Sequence, residues 1–256
     1  MLAIIGGSGL TTLSNLDVSH REVVRTPYGE PSGSLVFGQI CGQAAVFLPR
    51  HGYGHSIPPH MVNYRANLWA LHHHQVSGII SVASVGGIRA DLNPGDIILP
   101  DQIIDYTWGR SSTFFDGIDS PVTHIDFTEP YDAGLCRRIG DAAKKQCIDI
   151  KVGGVYAATQ GPRLETAAEI NRLERDGADI VGMTGMPEAA LARELGIPYA
   201  AISVIANHAA GRASSEHGIR FESLEHVLHE AMGRVRTIIE TVVGCPDACR
   251  PLGMSV

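Results

Sequence analysis

The sequence has little that would hold it in a membrane or on a nucleic acid. No stretch approaches the about 18 consecutive apolar residues of a membrane-spanning helix. Its start, MLAIIGGSGL, carries no basic residue, and its apolar run is too short for a signal peptide. Positive charge is scarce: 20 Lys and Arg stand against 27 Asp and Glu, a formal net charge of −7, and no basic block interrupts the chain. That argues against nucleic acid or an anionic membrane as partner. A small anion stays open, because local arginines and backbone N–H groups bind one whatever the total charge. Cysteine is sparse, scattered and odd in number: Cys41, Cys136, Cys147, Cys245 and Cys249. No disulfide framework fits, so a reduced, cytoplasmic protein is expected, with Cys245 and Cys249 as free thiols in a short tail and a late pair between them as the alternative. Linkers, repeats and low-complexity segments are also missing, so residues 1–256 read as one domain.

What is present is material for a core. Hydrophobic residues make up 44% of the 256 and charged residues 18%. Leu2 to Ile5 reads as a first strand, and Leu35 to Ile40 with Ala44 to Leu48 as a hairpin. From about residue 60 the pattern alternates. Strands are expected at Ile79–Val85, Ile97–Ile104, Val152–Ala158, Asp179–Met183 and Tyr199–Ala206. Helices are expected at Val62–Gln75, Pro130–Gln146, Glu165–Arg175, Pro187–Leu195 and Glu222–Val243. Alternation of this kind predicts an α/β fold with both sheet faces covered by helices. Ligands in such folds bind beyond the carboxyl ends of the strands.

Several strand exits carry chemistry. GGSG, Gly6 to Gly9, offers backbone N–H groups and the Ser8 hydroxyl to an anion; a tight strand-to-helix turn explains it equally well. It is not a dinucleotide fingerprint, since Thr12 stands where the third glycine belongs. PRHGYGHSIPPH places the planar donor fork of Arg50 beside the imidazole of His51; a basic surface loop is the alternative. No HExxH or Cys/His cluster supports a metal site on His51, His55 and His60, and the run His72 to His74 points three ways. GMTGMPE offers Met183 as an apolar cover and the Thr184 hydroxyl, which could equally cap a helix. ISVIANHAAG ends an apolar strand on a single carboxamide, Asn207, with Ala209 behind it; a turn cap is the plain alternative.

Four long stretches, PRHGYGHSIPPHMVNYRANLWAL, NPGDIILPDQIID, TQGPRLETAAEI and DIVGMTGMPEAALARELGIPYA, together resemble the trimeric purine nucleoside phosphorylase and methylthioadenosine phosphorylase family over nearly the whole chain. The resemblance implies a mixed, partly barrel-like central sheet flanked by helices. It implies phosphorolysis of a purine nucleoside with inorganic phosphate as co-substrate and neither metal nor organic cofactor. Matching motifs assign phosphate binding to Ser8, Arg50, His51, Ser84 and Thr184. Ala83 falls where relatives carry Thr or Asn, which leaves only its backbone N–H. Met183 is matched to the ribose, and Leu164 and Glu165 to the purine border. Asn207 and His51 are matched to catalysis. His124 matches a residue that reaches into the neighbouring subunit's site, which implies a homotrimer with shared sites.

Departures from the family pattern bear on the substrate. Adenine-cleaving relatives place Asp at the positions of Asn207 and Ala209, and Ser at that of Glu165. A carboxamide donates to O6 or N7 of a 6-oxopurine, where a carboxylate would set acceptor against acceptor. At the start of the last helix the pattern has a His for the ribose 5′-OH. Here Leu224 takes that place, with Val227 and Leu228 three and four residues on, an apolar set suited to a 5′-methylthio group. Leu228 also fits a core-facing stripe. The expected substrate is therefore methylthioinosine, with methylthioadenosine or an ordinary 6-oxopurine nucleoside as alternatives. A nucleoside-binding protein without catalysis would have no need of the Arg50, His51 and Thr184 set.

Overall fold

The structure, a computed structural model, describes residues 1–117 and 120–244, with the backbone alone for 221–224. Cys245 and Cys249 lie outside the described residues. Cys136 and Cys147 are free thiols, but Cys41 is disulfide-bonded, which corrects the expectation of a uniformly reduced chain.

The strands are β1 (Leu2–Gly6), β2 (Asp17–Glu22), β3 (Leu35–Ile40), β4 (Gln43–Pro49), β5 (Gly78–Gly87), β6 (Ile97–Leu99), β7 (Gln102–Asp105), β8 (Lys151–Val152), β9 (Val155–Ala158), β10 (Ile180–Gly182) and β11 (Tyr199–His208). The helices are α1 (Tyr64–His73), α2 (Ala133–Lys145), α3 (Ala167–Arg175), α4 (Gly185–Glu194) and α5 (Phe221–Val243). β5 is the hub. Its first half pairs parallel with β1, its last two residues pair antiparallel with β10, and β11 runs parallel along almost its whole length. From β11 the sheet continues to β6, and from β10 to β9 and β7. Because β6 leads into β7 and β8 into β9, with β6–β8 and β7–β9 both paired, the two branches meet and close a ring. That is the mixed, partly barrel-like sheet the resemblance implies.

Side-chain alternation along β11 feeds two cores. Tyr199, Ala201 and Ile205 pack with Leu68 and Leu71 of α1 and with Ala189 and Leu191 of α4. Ala200, Ile202 and Val204 pack on the other face with Ile139 of α2 and Val235, Ile238 and Ile239 of α5. Helix starts follow from caps. Asn63, Asp132 and Thr166 each accept a bond from the backbone N–H three residues on, and Glu169 completes a capping box. The helices expected from Val62 and Glu165 therefore begin at Tyr64 and Ala167, and Glu165 stays in a loop.

Two expected strands are each broken in two. Pro100 and Asp101 interrupt the stretch from Ile97, and Gly153 and Gly154, with φ of 86° and 135°, interrupt the stretch from Val152. The breaks face each other: Asp101 Oδ1 accepts from the Gly154 N–H at 3.0 Å. β2 was not expected, because it is exposed on both faces and shows no alternation.

Candidate active site

A cavity of about 630 Å³ opens at the carboxyl ends of β1, β4, β5, β10 and β11. β5 passes two groups of residues on its way. Near Ala83 lie Gly7 and Arg50, and near Gly86 lie Val181 and Ala209. Three residues of strand separate these groups, about 10 Å, the span of a small ligand with unlike ends.

The first end is built on Arg50, whose side chain is completely buried. Its Nε and Nη2 donate to the two carboxylate oxygens of Glu188 at 2.7 and 2.9 Å. Nη2 also donates to Ser81 Oγ at 2.6 Å, and Nη1 to the Val82 carbonyl at 3.0 Å. Four of five N–H donors are thus taken within the protein, and one on Nη1 is left. Gly7 makes the approach possible: a Cβ there would stand 2.6 Å from Nη1. Burial alone would lower the pKa of this guanidinium, but the charge and hydrogen bonds of Glu188 outweigh burial and raise it. Glu188 is itself saturated, since Oε1 also accepts from Ser81 Oγ at 2.7 Å and Tyr199 Oη at 2.8 Å. The pair is neutral overall, so an anion here meets directed N–H and O–H groups and not a net positive charge.

His51 adjoins Arg50 and is buried. Burial first, then the Arg50 charge, lower its pKa to about 4. The ring is neutral near pH 7, and Nδ1 must carry the proton because it lies 2.8 Å from the Ile57 carbonyl, a pure acceptor. Nε2 is left as an acceptor for a hydroxyl or a protonated phosphate oxygen. Ser8, Ala83, Ser84 and Thr184 line the same cavity. Thr184 holds the N-cap position of α4, yet its side chain makes no capping bond, so the capping alternative falls away.

At the other end Asn207, Ala209, Leu164, Glu165 and Met183 line the cavity. A register shift between Ile205 and Asn207 breaks the β11–β5 ladder there, and Asn207 lies just past it. Its Nδ2 donates to the His208 carbonyl at 2.6 Å, leaving one N–H and Oδ1. Glu165 Oε1 accepts from Thr159 Oγ1 at 2.7 Å, and Oε2 stays open. Met183 packs over Gly161, where φ is 63° and a Cβ would collide with its sulfur. His208 is turned away to Ser214, with Nδ1 and Oγ 2.8 Å apart.

The apolar set on the last helix is only partly present. Leu228 lines the cavity, and Ile219 joins it from the preceding loop. Val227 does not: one helical position back, it is rotated toward Gly95, a correction to the expected triad. The Leu224 side chain lies outside the described residues. His124 is exposed and away from its own chain's cavity. Among the described residues no three His, Cys, Asp or Glu are grouped to hold a metal ion.

Sequence reasoning missed Glu188. The signal for Glu188 was a lone acid in MPEAALA, whose neighbours are all apolar; a charge so placed needs a buried partner.

Residues 1–244 match the model of the phosphorylase superfamily. A probable S-methyl-5′-thioinosine phosphorylase of Pseudomonas syringae pv. tomato is 48% identical, over 94% of this chain and 97% of the relative. The 6-oxopurine nucleoside phosphorylase of Pyrococcus furiosus is 40% identical, over 97% of each. Among solved structures, methylthioadenosine phosphorylase from Schistosoma mansoni in complex with adenine superposes with a TM-score of 0.89 at 34% identity, over 94% of this chain and 90% of that one. Sequence, fold and cavity therefore place this chain in the phosphorylase superfamily.

Proposed function

We propose that this chain phosphorolyses S-methyl-5′-thioinosine to hypoxanthine and 5-methylthioribose 1-phosphate, with inorganic phosphate as co-substrate and no cofactor. The observation that carries this reading is the pairing of Asn207 with Glu165 in a cavity where Ala209 supplies no second acid. A 6-oxopurine presents an acceptor at O6, an acceptor at N7 and a donor at N1. The remaining Asn207 N–H suits O6 or N7, and Glu165 Oε2 suits N1–H. Adenine has no N1–H to offer a carboxylate.

Phosphate occupies the Arg50 end, held by the last Nη1–H and the hydroxyls of Ser8, Ser84 and Thr184. One phosphate oxygen attacks C1′ as the C1′–N9 bond breaks and its electron pair moves into the purine. The sugar passes through an oxocarbenium-like state, against which the apolar Met183 lies. The donor bond from Asn207 strengthens as negative charge builds on the base, and so lowers the barrier more than it aids binding. Leu228 and Ile219 supply an apolar wall for the 5′-methylthio group, to which Leu224 is expected to add. The relatives named as acting on methylthioinosine and on 6-oxopurine nucleosides support the same reading. A homotrimer completes it: His124 is exposed outside its own cavity, as a residue serving a neighbour's site would be.

Side-by-side kinetics with methylthioinosine, methylthioadenosine and inosine test the reading. Methylthioinosine is expected to give the highest kcat/KM. A preference for methylthioadenosine would overturn the role of Asn207 and Glu165, and a preference for inosine the role of the apolar wall.

A further inference from the structure

Arg110 lies outside the cavity, yet every N–H of its guanidinium has an acceptor. Nη1 donates to the carbonyls of Met183 at 2.8 Å and Met186 at 2.6 Å. Nη2 donates to the carbonyls of Thr159 at 3.2 Å and Gln160 at 2.9 Å, and Nε to Gln160 Oε1 at 3.3 Å. The group also stands over the ring of Tyr64, 5.5 Å from its centroid. Its acceptors lie just beyond β9 and β10, neighbouring parallel strands paired up to Ala158 and Gly182. Past that pair the chains diverge and their carbonyls lose ladder partners. One chain goes to Glu165; the other carries Met183, Thr184 and, in α4, Glu188.

We propose that Arg110 is a positioning residue that locks the base-side loop, 159–165, to the ribose and phosphate turn, 183–188. The proposal rests on the phosphorolysis reading for what those two segments hold. A planar fork with five donors bridges two diverging backbones at once. Lysine offers three donors from one point and spans only one of them. With the fork in place, the distance between Glu165 and Thr184 is fixed before a ligand arrives, which is what a reaction demanding alignment of base, sugar and anion requires.

The test uses the full chain with Arg110→Lys and Arg110→Ala. Arg110→Lys is expected to fold with a Tm near that of the wild type and to lose about 100-fold in kcat/KM, with KM raised for nucleoside and phosphate together. Arg110→Ala is expected to lose as much and to regain activity in millimolar guanidinium, which leaves the wild type unchanged. Hydrogen exchange in both variants is expected to speed up in 159–165 and 183–188 jointly. Wild-type kinetics in Arg110→Lys, or exchange unchanged in either segment, would overturn the proposal. So would a variant whose only defect is a lower Tm. If Arg110→Ala does not fold, Arg110→Lys decides. If the wild type releases no base from any purine nucleoside, the functional reading has failed, and the exchange measurement still judges the lock.

Discussion

The two ends of the cavity are held in unlike ways. At the anion end Arg50 and Glu188 are wholly buried, and Glu188 accepts four hydrogen bonds from Arg50, Ser81 and Tyr199. At the base end Asn207 has one bond, to the carbonyl of its own neighbour, and Glu165 has one, to Thr159. Leu164 beside them is 37% exposed. On the proposed reading, the end that meets phosphate is part of the core, and the end that distinguishes one base from another hangs on a loop and on the last residues of a strand. Stability and specificity would then be separable, and substitutions at the two ends test that.

The largest effect is expected from Glu188→Gln, which leaves the Arg50 charge buried without a counter-charge. Breaking such a pair costs roughly 3–5 kcal/mol, and at about 2–4 °C per kcal/mol for a chain of this size calorimetry should record a clear fall in Tm. Asn207→Ala provides the contrast, since a half-buried amide with one local bond should change stability by about 1 kcal/mol or less. Equal losses at both ends would break the comparison.

Next in size is the double change Asn207→Asp with Ala209→Asp. It is expected to shift the ratio of kcat/KM for methylthioadenosine over methylthioinosine upward on the order of 10–100-fold, the effect of about 1–3 kcal/mol in paired against unpaired polar groups. Asn207→Asp alone should leave stability near the wild type, whereas Ala209→Asp puts a carboxylate into the apolar cluster of Ile170, Leu173 and Val181 and should lower Tm, so the ratio is read below the unfolding transition. An unchanged ratio would move base choice to Glu165 alone.

The smallest effect near neutral pH concerns His51. Its pKa is about 4 in the folded chain against an ordinary 6.5. Between these values the unfolded chain binds the proton and the native chain does not, so stability falls as pH drops from 6.5 toward 4 and is flat above that window for this group. NMR titration of the His51 ring, with denaturant unfolding at each pH, measures both. A His51 titration near 6.5 would mean that the anion end is open to water, contrary to its burial.

Much of this was legible in the sequence where a single segment carried the signal. β1, the β3–β4 hairpin, β5 and β11 are apolar runs bounded by glycine or turn residues, and the cavity opens at their exits. What was not legible depended on distant partners or on rotation about an axis. Glu188 meets Arg50 across 138 residues. Arg110 meets mostly backbone carbonyls, which any residue has, so side-chain chemistry in the sequence could not point to them. β2 has no buried face to produce alternation. Val227 and Leu228 are equally apolar, and only the helix axis decides which of them meets the cavity.

The register shift before Asn207 carries a consequence for how such a protein changes over generations. Past the slip, Asn207 still gives its backbone to the ladder with Gly86, while its side chain belongs to the cavity. Exchanging that side chain leaves the sheet's hydrogen bonding as it was. On the proposed reading of Asn207, selection for a new nucleoside can then act on this codon without first having to repair the fold.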